Sequence, residues 1–125
     1  MQSIGDILVV EDDEPTVVFI AEALRDEGYS VRASLNLADA RALIAEHRPD
    51  LALLDLHLLN ESGHTLVREL STDRLAHIPV ILMTADAQAA QELSMDGIDY
   101  CLLKPFGLDE LIDCVTKHIR RNCIA

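Results

Sequence analysis

Ile7-Leu8-Val9-Val10-Glu11-Asp12-Asp13-Glu14-Pro15 sets four unbroken apolar residues directly against four consecutive acids and a proline. A run that is apolar at every position, without alternation, reads as a strand buried on both faces, and such strands belong to parallel sheets covered by helices. Pro15 suits the first turn of a helix, where its missing N–H costs nothing. Val17, Val18, Ile20, Ala21 and Leu24 then supply an apolar stripe that stops at Gly28. The acids therefore fall in the short turn between a buried strand and a helix.

Working outward, the same unit repeats along the chain. Tyr29 to Ala33 reads as a second strand, and a helix over 37–46 ends before Pro49. Leu51 to Leu54 makes a third strand that runs into Asp55, followed by a short helix over 63–70. Pro79 to Met83 is a fourth strand, an Ala-rich stretch over 87–95 a weak helix, and Tyr100 to Leu103 a fifth strand. Leu108, Leu111, Ile112, Val115 and Ile119 recur at helical spacing and give the clearest amphipathic pattern. The string is (βα) five times. Right-handed crossovers leave few layouts for it, and the flavodoxin-like α/β sandwich with parallel strand order 2-1-3-4-5 leads.

Composition bounds the rest. The 125 residues suit one domain over 1–125, and with half of them hydrophobic but only 3% aromatic the core is built from aliphatic side chains. A net charge of −12 repels phosphate backbones and anionic lipid, so neither direct nucleic acid binding nor membrane attachment is expected. No apolar run approaches the ~18 residues of a membrane span and no signal sequence fits before the first acids, which points to the cytoplasm. Cys101, Cys114 and Cys123 have no metal-ligand spacing, and their odd number fits a reducing compartment.

In a doubly wound sheet, function sits at the carboxyl ends of the strands. Those ends carry Glu11 to Glu14, Asp55, Thr84 and Lys104-Pro105. Carboxylates on neighbouring strands repel unless a cation lies between them, and hard oxygen donors suit Mg²⁺. A lysine and a hydroxyl nearby add what a phosphoryl group needs, and a carboxylate can itself be the nucleophile. Each residue also has a plain structural use. The acids can favour a helix dipole, Asp55 can cap a turn, Thr84 can cap a helix, and Lys104 can be a solvated residue before a proline turn. Their coincidence at four successive strand ends is what favours the chemical reading.

At these residues the chain resembles the response-regulator receiver family over essentially its whole length. The matching stretches are Ile7 to Asp13, Pro49 to Asp55, Pro79 to Ala85 and Lys104-Pro105-Phe106, with 43 positions from Asp12 to Asp55. The resemblance implies a phosphoacceptor domain of a two-component phosphorelay. Asp55 would be the acceptor, and Mg²⁺ would be held by Asp12, Asp55 and the backbone carbonyl of His57, with Glu11 acting through water. Asp13 would be a third, less essential acid. Thr84 would be the switch hydroxyl, Ala85 would keep the approach open, and Lys104 would pair with the phosphoryl group beside a cis bond to Pro105. The implied donor is a phosphohistidine on a sensor histidine kinase or phosphotransfer protein. The implied output is a change in the face made by the helix over 87–95, the strand over 100–103 and the helix from Leu108, read by an effector domain or output protein.

Several positions depart from the pattern. Cys101 stands where the family usually has an aromatic switch residue, and adjacent Tyr100 points to the opposite face. A small packing residue is the simpler reading of Cys101 than a redox sensor. Leu59 replaces a common proline, and the 20 residues from Thr84 to Lys104 are about two fewer than expected of the family. His57 and Asp86 lie two positions after the acceptor and the switch threonine, where they either tune the lifetime of the phosphoryl group or are merely solvated. Two alternatives remain. A haloacid-dehalogenase-like phosphatase needs an aspartate where His57 stands, and a pseudo-receiver would keep the fold and signal without phosphate.

Overall fold

A computed structural model of the chain describes residues 4–58, 66–67, 78–92 and 98–119. Its five strands are β1 (Asp6–Val10), β2 (Ser30–Ser34), β3 (Leu51–Asp55), β4 (Val80–Thr84) and β5 (Tyr100–Leu103). All the pairings are parallel and the order is 2-1-3-4-5, as the repeated strand–helix pattern predicts. The helices are α1 (Glu14–Asp26), α2 (Leu37–Glu46), α3 (Ala87–Glu92) and α4 (Leu108–His118), with a 3-10 turn over Leu56–Leu58.

Because side chains alternate along a strand, a run that is apolar throughout feeds two cores at once. Ile7 and Val9 join Leu53, Ile81 and Met83 beneath α1 and α4, together with Ile20, Leu24, Leu111 and Val115. Leu8 and Val10 face the other way with Ala52, Leu54, Val80 and Leu82, against Ala40 of α2 and Leu66 and Val67. All four apolar residues of β1 are completely buried, and this fixes the strand at the centre of the sheet.

Several boundaries differ from the sequence reading by one residue. β2 begins at Ser30 rather than Tyr29, β4 runs from Val80 to Thr84, and β3 extends to include Asp55. Strand ends follow the hydrogen-bond ladder, and pairing of Asp55 with Met83 and of Thr84 with Leu103 carries both functional candidates onto the sheet. Val18 and Leu108, assigned to apolar stripes, are about half exposed; Ala23 and Cys114 occupy the buried arcs instead. α1 ends as its glycine suggests. Gly28 adopts φ +101°, its N–H bonds Arg25 O at 3.0 Å, and Tyr29 N–H bonds Leu24 O at 3.1 Å. Of the expected helix over 63–70, Leu66 and Val67 are described and are helical, and the remainder lies outside the described residues. The end of the helix over 87–95, Leu59 and the shortened stretch before Gly97 lie outside them too.

Candidate functional site

Register decides what meets at the carboxyl edge of the sheet. β1 pairs with β3 up to Val10 and Leu54, so Glu11 emerges beside Asp55. The Lys104 N–H bonds Thr84 O at 2.7 Å, tying the end of β5 to that of β4. Glu11, Asp12 and Asp55 converge, with a carboxylate oxygen from each lying within 4.8 Å of the others.

The four-acid run divides its labour. Glu11 turns inward and is 1% exposed, its N–H anchored on Ser34 O at 3.1 Å. Asp12 stays exposed beside it. Asp13 leaves the cluster to cap α1, accepting the Thr16 N–H at 3.1 Å and the Thr16 hydroxyl. Those two bonds, the hydroxyl foremost, hold its carboxyl below the usual range. Glu14 sits in the first turn, where the helix dipole favours it. The run therefore divides between acids that gather with Asp55 and acids that serve the start of α1.

Asp55 is 2% exposed, and its Oδ1 accepts the His57 N–H at 3.1 Å, which folds the 3-10 turn back over the strand end. Lys104 Nζ lies 2.6 Å from Glu11 Oε2 and 3.9 Å from Asp55 Oδ2. Thr84 is buried to the same degree as Glu11, and its Oγ1 accepts the Asp86 N–H at 3.0 Å. Ala85 is exposed at the rim, and the Lys104–Pro105 bond is cis, as expected. The side chains of His57 and Asp86 are exposed. Cys101 packs, half buried, on the α2 side of the sheet, while Tyr100 stacks on His118 with ring centroids 5.0 Å apart. The two neighbours thus take opposite faces, and no aromatic side chain occupies position 101.

Three carboxylates, two of them buried, face one ammonium. Buried charge needs compensation, and hard oxygen donors with an exposed member open to water fit a divalent ion such as Mg²⁺. Sequence reasoning did not identify a groove of about 480 Å³ beside the acids, lined by Pro15, Thr16, Phe19, Ala85, Lys104, Pro105 and Phe106. The chain's two phenylalanines, Phe19 and Phe106, meet there with ring centroids 6.4 Å apart. The available signal was Phe19 itself, a large apolar residue adjoining the buried stripe of α1 yet 42% exposed.

A parallel sheet of this order with acids gathered at its switch point is a flavodoxin-like receiver fold. The chain belongs to the response regulator receiver domain family, whose sequence profile matches residues 7–116. It is 38% identical over 120 residues to the phosphate regulon transcriptional regulatory protein PhoB of Pseudomonas aeruginosa, covering 93% of this chain and 52% of that protein. It thus spans about half the length of that curated relative. NtrX from Brucella abortus, in complex with ADP, superposes with a TM-score of 0.79 at 28% identity, covering 94% of this chain and 26% of that one. The response regulator TrrA from Thermotoga maritima, in complex with Mg²⁺-BeF, gives a TM-score of 0.77 at 29% identity, covering 94% and 98%. The chain is therefore a receiver domain of a two-component response regulator, a regulatory unit. Among the described residues no helix is long and apolar enough to cross a membrane.

Proposed function

We propose that residues 1–125 form a phosphoacceptor unit that takes a phosphoryl group onto Asp55 from a phosphohistidine of a sensor histidine kinase or phosphotransfer protein. The observation that carries this reading is the convergence of Glu11, Asp12 and Asp55 within 4.8 Å, with the Lys104 ammonium among them. The TrrA complex with Mg²⁺-BeF supports it by analogy.

Asp12 and Asp55, with the His57 backbone carbonyl and with Glu11 through water, would hold Mg²⁺. When bound, the ion supplies charge neutralisation to the acid cluster and the incoming phosphoryl oxygens. Asp55 attacks phosphorus in line through Oδ2, the oxygen not engaged by the His57 N–H. An O–P bond forms as the donor's N–P bond breaks. Lys104 lies on the Oδ2 side and places its positive charge against the transferred group. Ala85, with only a methyl group, leaves the approach open, and Pro105 lines the groove next to Lys104. The groove beside α1 gives the donor an apolar seat next to the acceptor.

The added charge of about −1.5 to −2 attracts the Thr84 hydroxyl, whose hydrogen remains free to donate while its oxygen accepts from Asp86. That pull biases the face built from α3, β5 and α4 toward a different partner. Cys101 leaves this face without the family's usual ring, so coupling runs through the Thr84 turn. His57 and Asp86 flank the entrance and tune how long the phosphoryl group survives. The 52% coverage of PhoB is consistent with output through an effector domain in a longer chain or through a separate protein.

Labelling by acetyl phosphate with Mg²⁺ tests the reading. One phosphoryl group per chain is expected, with none in Asp55→Asn or without the ion. Labelling that persists in Asp55→Asn, or none at all in the intact protein, refutes it; the second result is what a phosphate-independent pseudo-receiver would give.

A further inference from the structure

Both phenylalanines of the chain line the groove beside the acids. Phe106 leans on the edge of the core beneath α1 and α4, but Phe19 is 42% exposed, which a fold held by aliphatic side chains does not require. Their ring centroids stand 6.4 Å apart, near the outer limit for an aromatic pair, and ring surface stays uncovered. Pro15, Ala85 and Pro105 complete an apolar wall. The two polar members of the lining are already engaged, the Thr16 hydroxyl by Asp13 and the Lys104 ammonium by Glu11 at 2.6 Å. At about 480 Å³ the groove falls within the range of about 300–1,000 Å³ usual for small-molecule sites. It also adjoins the acceptor, since Lys104 Nζ lies 3.9 Å from Asp55 Oδ2 and Ala85 directly follows Thr84.

We propose that this groove receives the leaving group of a small-molecule phosphodonor and selects acyl phosphates whose acyl group is aromatic. The inference rests on the phosphoacceptor reading above and names a substrate class for it. Asp55 Oδ2 attacks phosphorus in line and a new O–P bond forms. The bond from phosphorus to the acyl oxygen breaks, its electron pair leaves with a carboxylate, and no proton changes hands. In-line geometry puts that carboxylate on the far side of phosphorus from Oδ2, so the acyl group projects away from the acids. A net charge of −12 gives an anionic donor no long-range attraction, and affinity then falls to the part of the donor that does not react. An acetyl group offers the groove one methyl. A benzoyl group offers a ring that joins Phe19 and Phe106, an advantage on the order of tenfold.

Two measurements on the full chain test this. Without metal or donor, benzamide, a neutral carrier of the same ring, should shift the backbone amide NMR signals of Phe19 and Phe106, and acetamide should not. With magnesium, the second-order rate of labelling Asp55 is measured with benzoyl phosphate and with acetyl phosphate. The ratio of the two rates is then compared between chains, so that the donors' own reactivities cancel. That ratio should fall on the order of tenfold in Phe19→Ala. It should stay unchanged in Val18→Ala, whose side chain is exposed on the same helix but lies outside the groove. If benzamide moves neither amide, or if Phe19→Ala keeps the ratio of the unmodified chain, the aromatic selection is overturned. If neither donor labels the unmodified chain, the phosphoacceptor reading falls and this inference falls with it. The benzamide titration needs only the unmodified chain and decides the matter even if a variant fails to fold.

Discussion

The Thr84 hydroxyl accepts the backbone N–H of Asp86 at 3.0 Å, so the side chain that ends β4 also shapes the turn into α3. A buried hydroxyl that organises backbone is worth about 1 kcal/mol. Thr84→Val, which keeps the shape and removes the bond, should lower stability in urea unfolding by about that much, whereas Thr84→Ser should not. Under the proposed function, Thr84→Val still accepts phosphate on Asp55, but the Asp86 amide no longer shifts on phosphorylation. An unchanged Asp86 shift in that variant would mean that Thr84 does not couple the acceptor to this turn.

Asp13 predicts an acid limb of stability. Its carboxyl sits below the usual range because the charged form accepts two bonds from Thr16, the hydroxyl contributing most. A depressed native value means the unfolded chain takes up the proton first as pH falls. The stabilisation is therefore complete above the ordinary carboxylate range and is lost as pH drops through the lower native value. A carboxyl carbon titration by NMR should place the Asp13 midpoint below that of an unstructured aspartate, and Thr16→Val should raise it. A Thr16→Val midpoint equal to that of the parent would assign the shift to something other than this cap.

At the opposite end of the sheet, Arg32 gathers four acceptors. Its Nη2 lies 2.6 Å from Asp6 Oδ2, its Nε 3.3 Å from Asp6 Oδ1, and it donates to Leu43 O at 2.6 Å and His47 O at 2.7 Å. The guanidinium thereby adds a second bond to Leu43 O, caps the chain at His47 just beyond α2, and ties that end of the helix to β1. Arg32→Met should cost about 1–3 kcal/mol, and Asp6→Asn a comparable amount. The double variant should lose less than the two together, with a coupling of about 0.5–3 kcal/mol. Acetyl phosphate labelling of Asp55 should keep its rate in Arg32→Met, since the network is remote from the acids. Strict additivity in denaturant unfolding would show that the two side chains act independently.

The fold was legible because the β1 and β3 runs are apolar at every position, a pattern that only a sheet covered on both sides can bury. Asp55 and Lys104 were legible as strand-end residues for the same reason. Side-chain reach was not. Nothing in the run Glu11 to Glu14 says that its first acid turns in, its second stays at the rim and its third turns back to cap α1, since that depends on the angle at which the chain leaves β1. The pairing of Lys104 with Glu11 joins residues 93 positions apart and follows from strand order. Val18 and Leu108 were misassigned because apolar residues at helical spacing mark a wide arc, and only packing decides which edge of it is covered.

Cysteine chemistry supplies the last prediction. Cys114 lies in the core beneath α4, and burial, aided by Asp113, pushes its thiol up to about 11. Cys101 is half buried on the other side of the sheet, and burial raises its thiol as well. A raised value starves the thiolate, which is the reacting form, so neither residue has the electropositive setting of a redox sensor. In a chain retaining only Cys114, iodoacetamide labelling at pH 8 should be slow when native. It should accelerate by about a hundredfold in urea, where an ordinary thiol is restored. A chain retaining only Cys101 should also react more slowly native than unfolded, by a smaller factor because it is less enclosed. Fast native labelling at Cys101 would instead make it a reactive thiol on the strand of the proposed output face, and the packing assignment of that position would fall.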